Sequence, residues 1–226
     1  MKKLLLNLTF VAILTSITGY NALGQSKKPF EGTIVYSLNF DEAGLDPASA
    51  SMLQGREMTI SIKGDKSRME MDMGMMKTTT IADNKTGNVV TLMDIMGQKM
   101  ALKMTKEEIE KQRNDGNAKA PTIKYTDETK EIAGYKCKKA IAVTDEGEEL
   151  AVFYTDEIPS NGTSTNNQFK GLNGFPLEYQ ASQNGLKMLV TAKSVKLGKV
   201  DDSKFKIPSD YKEVTQEELQ KMFGGQ

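Results

Sequence analysis

Between residues 69 and 76 the chain reads Met-Glu-Met-Asp-Met-Gly-Met-Met, thioethers alternating with carboxylates at a period of two until Gly74. Successive side chains of a strand point to opposite faces. The pattern therefore predicts a strand with Met69, Met71 and Met73 on one face and Arg68, Glu70 and Asp72 on the other. The same period runs through residues 30–40, where Ile34, Tyr36, Leu38 and Phe40 alternate with Thr33, Ser37 and Asn39. It returns at Met58, Ile60 and Ile62, and Lys63-Gly64-Asp65-Lys66 then turns the chain into the methionine stretch. Gly74 predicts a bulge or bend before a strand over 75–82. Further strands are predicted over 89–95, 99–104, 123–126, 135–143, 149–154, 177–181 and 186–197. In the second of these Met100, Leu102 and Met104 face together, and Met93 and Met96 precede them.

Helix signals are few and short. Asp46-Pro47 supplies an N-cap and a first helical position for a helix to Leu53. Thr105 with Glu108, and Thr215 with Glu218, have the spacing of a capping box and predict helices over 106–113 and after 215. The first of these is so charged that it is expected to lie over a sheet edge. Polar loops are predicted over 114–121 and 158–168, the second a candidate mobile lid, and Asn184-Gly185 marks a hairpin turn. Many strands joined by hairpins, with no repeat and no linker, predict one mainly β domain. Its expected form is a strongly curved antiparallel sheet, or half-open barrel, over residues 25–226.

The amino terminus adds a compartment. Lys2 and Lys3, an apolar run over 4–18 and the small-residue site Ala22-Leu23-Gly24 read as a signal peptide over 1–24. The remainder is expected to be exported to the periplasm as a soluble chain. It is not expected to be a lipoprotein, because the lone cysteine, Cys137, is far from the cleavage site. Without Lys2 and Lys3, 28 of the 30 basic residues remain against 30 acidic ones, a net of −2 with no basic stripe, so a nucleic-acid partner is not expected. One cysteine makes no internal disulfide. Its neighbours Lys136, Lys138 and Lys139 would activate its thiol if exposed; the other reading is a small buried hydrophobe. The chain has no histidine. That removes Ser-His and Cys-His nucleophile pairs and leaves only all-carboxylate ligation for zinc, so no enzyme activity and no cofactor are expected.

What remains is the methionine face. Methionine packs any irregular core, and one reading of the stripe is simply that. Flexible thioethers also suit varied apolar ligands, by area removed from water. On that reading Ile34, Tyr36, Met58, Ile60, Met69, Met71, Met73, Met100 and Met104 line a site for a lipid or acyl chain. A sharper alternative is a Cu(I) or Ag(I) site at Met69, Met71 and Met73, since soft thioethers select such ions. A third reading, a partner-binding envelope module, predicts an unpaired sheet edge.

Three segments carry a resemblance. They are Ile132-Ala133-Gly134-Tyr135-Lys136-Cys137-Lys138-Lys139-Ala140, then Val152-Phe153-Tyr154-Thr155-Asp156-Glu157-Ile158-Pro159, and Phe169-Lys170-Gly171-Leu172-Asn173-Gly174-Phe175-Pro176-Leu177. Together they resemble the GLPGLI family and its DUF4412-type exported relatives of unknown function. Asn173 stands where the GLPGLI pattern has its first proline, which favours the DUF4412-type neighbour. The ending Val200-Asp201-Asp202-Ser203-Lys204-Phe205-Lys206-Ile207-Pro208-Ser209-Asp210-Tyr211 is similar to that of the LolA-like superfamily. The resemblance implies a half-open β-barrel with a helical lid; described members of that superfamily carry lipoprotein acyl chains.

Overall fold

The alternating segments become strands of one sheet. The computed structural model describes residues 30–41, 43, 45–115, 120–158, 169, 171–183 and 186–223. The predicted signal peptide, most of the Ser/Asn loop offered as a lid, part of the 114–121 loop and the Asn184-Gly185 turn lie outside them. In chain order the elements are β1 (Glu31–Phe40), α1 (Pro47–Leu53), β2 (Arg56–Lys63), β3 (Lys66–Asp72), β4 (Met76–Asp83), β5 (Asn88–Ile95), β6 (Gln98–Met104) and α2 (Lys106–Asp115). There follow β7 (Thr122–Ile132), β8 (Tyr135–Val143), β9 (Glu149–Thr155), β10 (Phe175–Gln183), β11 (Leu186–Leu197), β12 (Lys212–Val214) and α3 (Gln216–Phe223). The strand order is β12-β6-β5-β4-β3-β2-β1-β11-β10-β9-β8-β7, a curved sheet not closed into a barrel. Every pairing is antiparallel except β12 on β6.

The curl follows from the core. β1 and β8 are four places apart, about 19 Å in a flat sheet with strands about 4.8 Å apart. Yet Ile34, Tyr36 and Met58 share one buried cluster with Ile132 and Cys137. Register shifts at Val35/Tyr36, Tyr125/Thr129 and Pro176/Glu178 supply the bends, as bulged strands do. Tyr36 and Tyr179 meet edge to face at 6.4 Å, and Tyr179 meets Phe169 at 5.1 Å. Phe169 and Leu172 thereby cover Ala140, Ala142, Val152 and Tyr154.

Tyr36 donates its hydroxyl hydrogen to the Pro176 carbonyl at 2.9 Å, tying β1 to β10 across β11. Burial, then the neighbouring Tyr179 and Cys137, hold that phenol protonated well above its ordinary range. Tyr36→Phe should cost about 1–2 kcal/mol in urea unfolding, because the Pro176 carbonyl loses a buried donor. A variant as stable as the wild type would show that water replaces the phenol.

The segment after β11 crosses the sheet as a strap. Phe205, Ile207 and Tyr211 pack on Ile81, Val90, Leu92 and Ala101. Lys63–Asp202 (2.8 Å), Lys99–Asp210 (2.7 Å), Lys204–Glu70 (3.9 Å) and the Arg68 bond to the Lys204 carbonyl (2.8 Å) fasten it. The Lys63 bond holds the Asp202 carboxyl below its ordinary range, and the Lys99 bond does the same for Asp210. A depressed folded pKa contributes stability above the unfolded value, near 4, that is lost as pH falls through the folded one. An Asp202→Asn/Asp210→Asn variant should therefore melt below the wild type at pH 7, and the gap should narrow as pH falls below the ordinary carboxylate value, near 4. A gap that persists in acid would assign the effect to packing.

The capping boxes form as spaced: Thr105 and Glu108 exchange bonds, as do Thr215 and Glu218, and Asp46 caps α1. Three elements differ from expectation. β7 runs to Ile132, past the predicted 126, because a bulge and an exposed polar run hide its period. β12 is too short for periodicity and is made by its pairing with β6. Met73 lies beyond the end of β3 rather than within a strand. With Gly74 (φ +86°) and Met75 it forms the turn into β4, and its amide still bonds the Met76 carbonyl at 2.9 Å.

Candidate functional site

Residues opposite one another in neighbouring strands share a face, so the register extends the stripe across the sheet. One row runs Ala192–Tyr36–Met58–Met71–Thr78–Met93–Met100, from β11 to β6. The next runs Val195–Ile34–Ile60–Met69–Thr80–Thr91–Leu102. A third joins Ile62, Ser67, Ala82, Val89 and Met104. The sequence-predicted residues Ile34, Tyr36, Met58, Ile60, Met69, Met71, Met100 and Met104 thus fall on one continuous face, with Met73 at its end. Met93, Thr78, Thr80 and Thr91 complete it. Met93 was legible as the third member of Val89, Thr91, Met93, but its place opposite Met100 belongs to the hairpin register.

Burial along the face is graded. Ile34, Tyr36 and Met58 are core at one end, and Met100 is buried at the other. Met69, Met71, Thr78, Thr80, Thr91, Met93 and Met104 between them are half-buried. The face is neither sealed nor bare in its middle. Across β4, β5 and β6 apolar side chains occupy both faces: Ile81, Leu92 and Ala101 lie under the strap, and the methionine row is on the other side. At the sheet edge a small cleft of about 160 Å³ is lined by Leu102, Met104 and Val214 with Lys103, Glu108 and Glu213.

Cys137 is fully buried, its thiol 3.6 Å from the Tyr135 carbonyl. Burial, then the charges of Glu157 and Glu178, push its pKa up to about 11, the reverse of activation by lysine. Lys138 and Lys139 are engaged by Asp156 and Glu128. Beside them, buried Glu178 is held by both oxygens on Lys130 at 2.9 Å and by the Thr191 hydroxyl at 3.1 Å. Lys130 also lies 5.4 Å from the Phe153 ring, so the cluster is a closed polar tie between β7 and β10. Among the described residues no three Cys, Asp or Glu side chains are grouped to hold a metal ion. Nor is any helix among them long and apolar enough to cross a membrane.

A family model described as "Domain of unknown function (DUF4412)" matches residues 48–211. No curated protein matches the chain. Among solved structures, PNGF-II aligns with a TM-score of 0.52 at 19% identity, over 86% of this chain and 33% of that one. The chain therefore spans about a third of the length of PNGF-II, and the likeness is one of fold. MucB aligns at 0.36 with 7% identity, over 80% of this chain and 58% of its own. A β-barrel-like DUF1849 protein from Brucella abortus aligns at 0.33 with 8% identity, over 75% of this chain and 98% of its own.

Proposed function

This chain belongs to the DUF4412 family of domains of unknown function, and we propose that it is an exported, non-enzymatic protein that shelters a lipid or acyl chain on its methionine face. One observation carries the reading: the methionine-rich row Met58–Met71–Thr78–Met93–Met100 is continuous and, between its two buried ends, half-open, on the side of β4–β6 opposite the strap. Its half-open part crosses two strand spacings from β3 to β5, about 10 Å, so it would hold part of an acyl chain. Such a ligand would bind by area, at about 25 cal/mol per Å² removed from water, and thioethers adapt to chains of different shape. Native mass spectrometry of the purified protein is expected to find a co-purified lipid, and a fluorescent fatty acid to bind saturably. Absence of both would overturn the reading.

The soft-metal alternative names Met69, Met71 and Met73, of which Met73 lies beyond β3; the facing thioethers are instead Met58 with Met71 and Met93 with Met100, pairs whose Cβ atoms stand about 4.5–5.5 Å apart in such a sheet. It predicts a stoichiometric Cu(I) complex in an anaerobic titration, and no uptake there would dismiss it.

A further inference from the structure

The end of the sheet where β3 turns into β4 and β5 into β6 collects exposed methionines. Met75 is 63% exposed and Met96 80%, and the Met96 amide donates to the Met75 carbonyl at 3.0 Å, joining the two hairpin tips. Met76, 39% exposed, pairs with Ile95. That pair is one step outward from Thr78–Met93 on the same face, so Met76 borders the row, with Met75 and Met96 beside it at the hairpin tips. Met52, 55% exposed, closes the group. Arg56 Nε bonds its carbonyl at 2.6 Å, and Arg56 Nη2 would lie 3.1 Å from a Cβ placed on Gly74 of the β3–β4 turn.

Met96 also breaks a local rule. It and Gly97 have φ of +52° and +87°, the pair of positive angles that two-residue hairpins give to Asn, Asp or Gly. A methionine there strains its backbone and exposes an apolar side chain without burying it. Ala133 before Gly134 takes the same pair of angles, +51° and +82°, at the β7–β8 hairpin, but packs against the core where Met96 is exposed.

We propose that this rim is an oxidation site that gates the methionine face. A hydroperoxide delivers one oxygen to a thioether sulfur: a sulfur–oxygen bond forms and the O–O bond breaks. Sulfur loses two electrons, and the peroxide leaves as water or an alcohol. The sulfoxide is polar, so oxidation turns the apolar border of the row into a hydrated one. Exposure grades the order, with Met75 and Met96 ahead of half-buried Met71 and Met93, and buried Met58 and Met100 last. The gating half rests on the lipid reading; the oxidation order does not.

The test treats the full chain with graded hydrogen peroxide, reads each methionine by peptide mass spectrometry, and titrates a fluorescent fatty acid at each dose. Rim sulfoxides should form first and weaken probe binding about fivefold before the row is touched. Met75→Leu/Met76→Leu/Met96→Leu keeps an apolar rim that cannot be oxidised and should hold its affinity through the same doses. If that variant does not fold, methionine sulfoxide reductases acting on the oxidised wild type should restore binding. Oxidation of Met71 or Met93 as fast as Met75 and Met96 overturns the site. Binding that survives complete rim oxidation overturns the gate and leaves the lipid reading standing. An untreated protein that binds no probe overturns that reading, and the gate with it.

Discussion

Gly174→Ala should lower the unfolding free energy by about 3 kcal/mol in urea titration, the upper part of the range for overpacking. A Cβ there would run into the Tyr154 ring and stand 2.6 Å from the Thr155 carbonyl oxygen. Neither neighbour can withdraw. Tyr154 is buried under Phe169 and Leu172, with Tyr125 edge-on at 5.8 Å, and Thr155 is paired with Phe175 in the sheet. The chain after Gly174 must therefore move, taking Phe175 and Leu177 out of the main core. Gly171 is an internal control. Its φ is +93°, but a Cβ on it would meet nothing within 4 Å, so alanine there should cost only the backbone strain, about 1 kcal/mol. Equal losses at the two positions would show that close packing is not what requires Gly174.

The Gly-Leu-Asn-Gly segment also shows how far the chain can be read without coordinates. A tight turn delivering Phe175 and Leu177 to the sheet was legible, and both are buried. That Leu172 and Phe169 would lie over β8 and β9 was not, nor that the Tyr125 hydroxyl would accept from the Asn173 amide at 3.0 Å. Such contacts join residues from about fifteen to 48 positions apart and leave no local period.

The same division holds for the candidate site. Period two put Met69 and Met71 on one face because pleating is local. It could not say that Met71 would have Met58 on one side and Thr78, then Met93, on the other, since hairpin register decides that. Nor could it separate Tyr36 and Met58, sealed in the core, from Met71, half-open in the same row. Burial of that kind depends on bulges that curl β7 and β8 back toward β1, and a bulge adds one residue without a distinctive composition. β12 is the extreme case: Lys212–Val214 is a strand because β6 offered an edge.

The row therefore divides into members sealed in the core and members that pack against it while staying partly open, and substitution can tell them apart. Met71→Gln with Met93→Gln should weaken fatty-acid probe binding by about tenfold. Burying a whole methionine side chain contributes about 1.5–3 kcal/mol, and each of these, mostly buried already, has no more than about a third of that left to gain. Two such losses come to about 1–2 kcal/mol, and an amide left without partners under the ligand adds to the deficit. Glutamine matches methionine in length, and half-exposed sites tolerate its amide, so unfolding should shift much less than binding does. Met58→Gln should do the opposite: it buries an unpartnered amide in the core and should unfold the protein at lower urea. Met222→Gln, on the exposed side of α3, should change neither property. A folded Met71→Gln/Met93→Gln protein that takes up the probe as tightly as the wild type would remove the ligand from this face. The half-open methionines would then be a loosely packed extension of the core, and the apolar surface opposite the strap would have no role in binding.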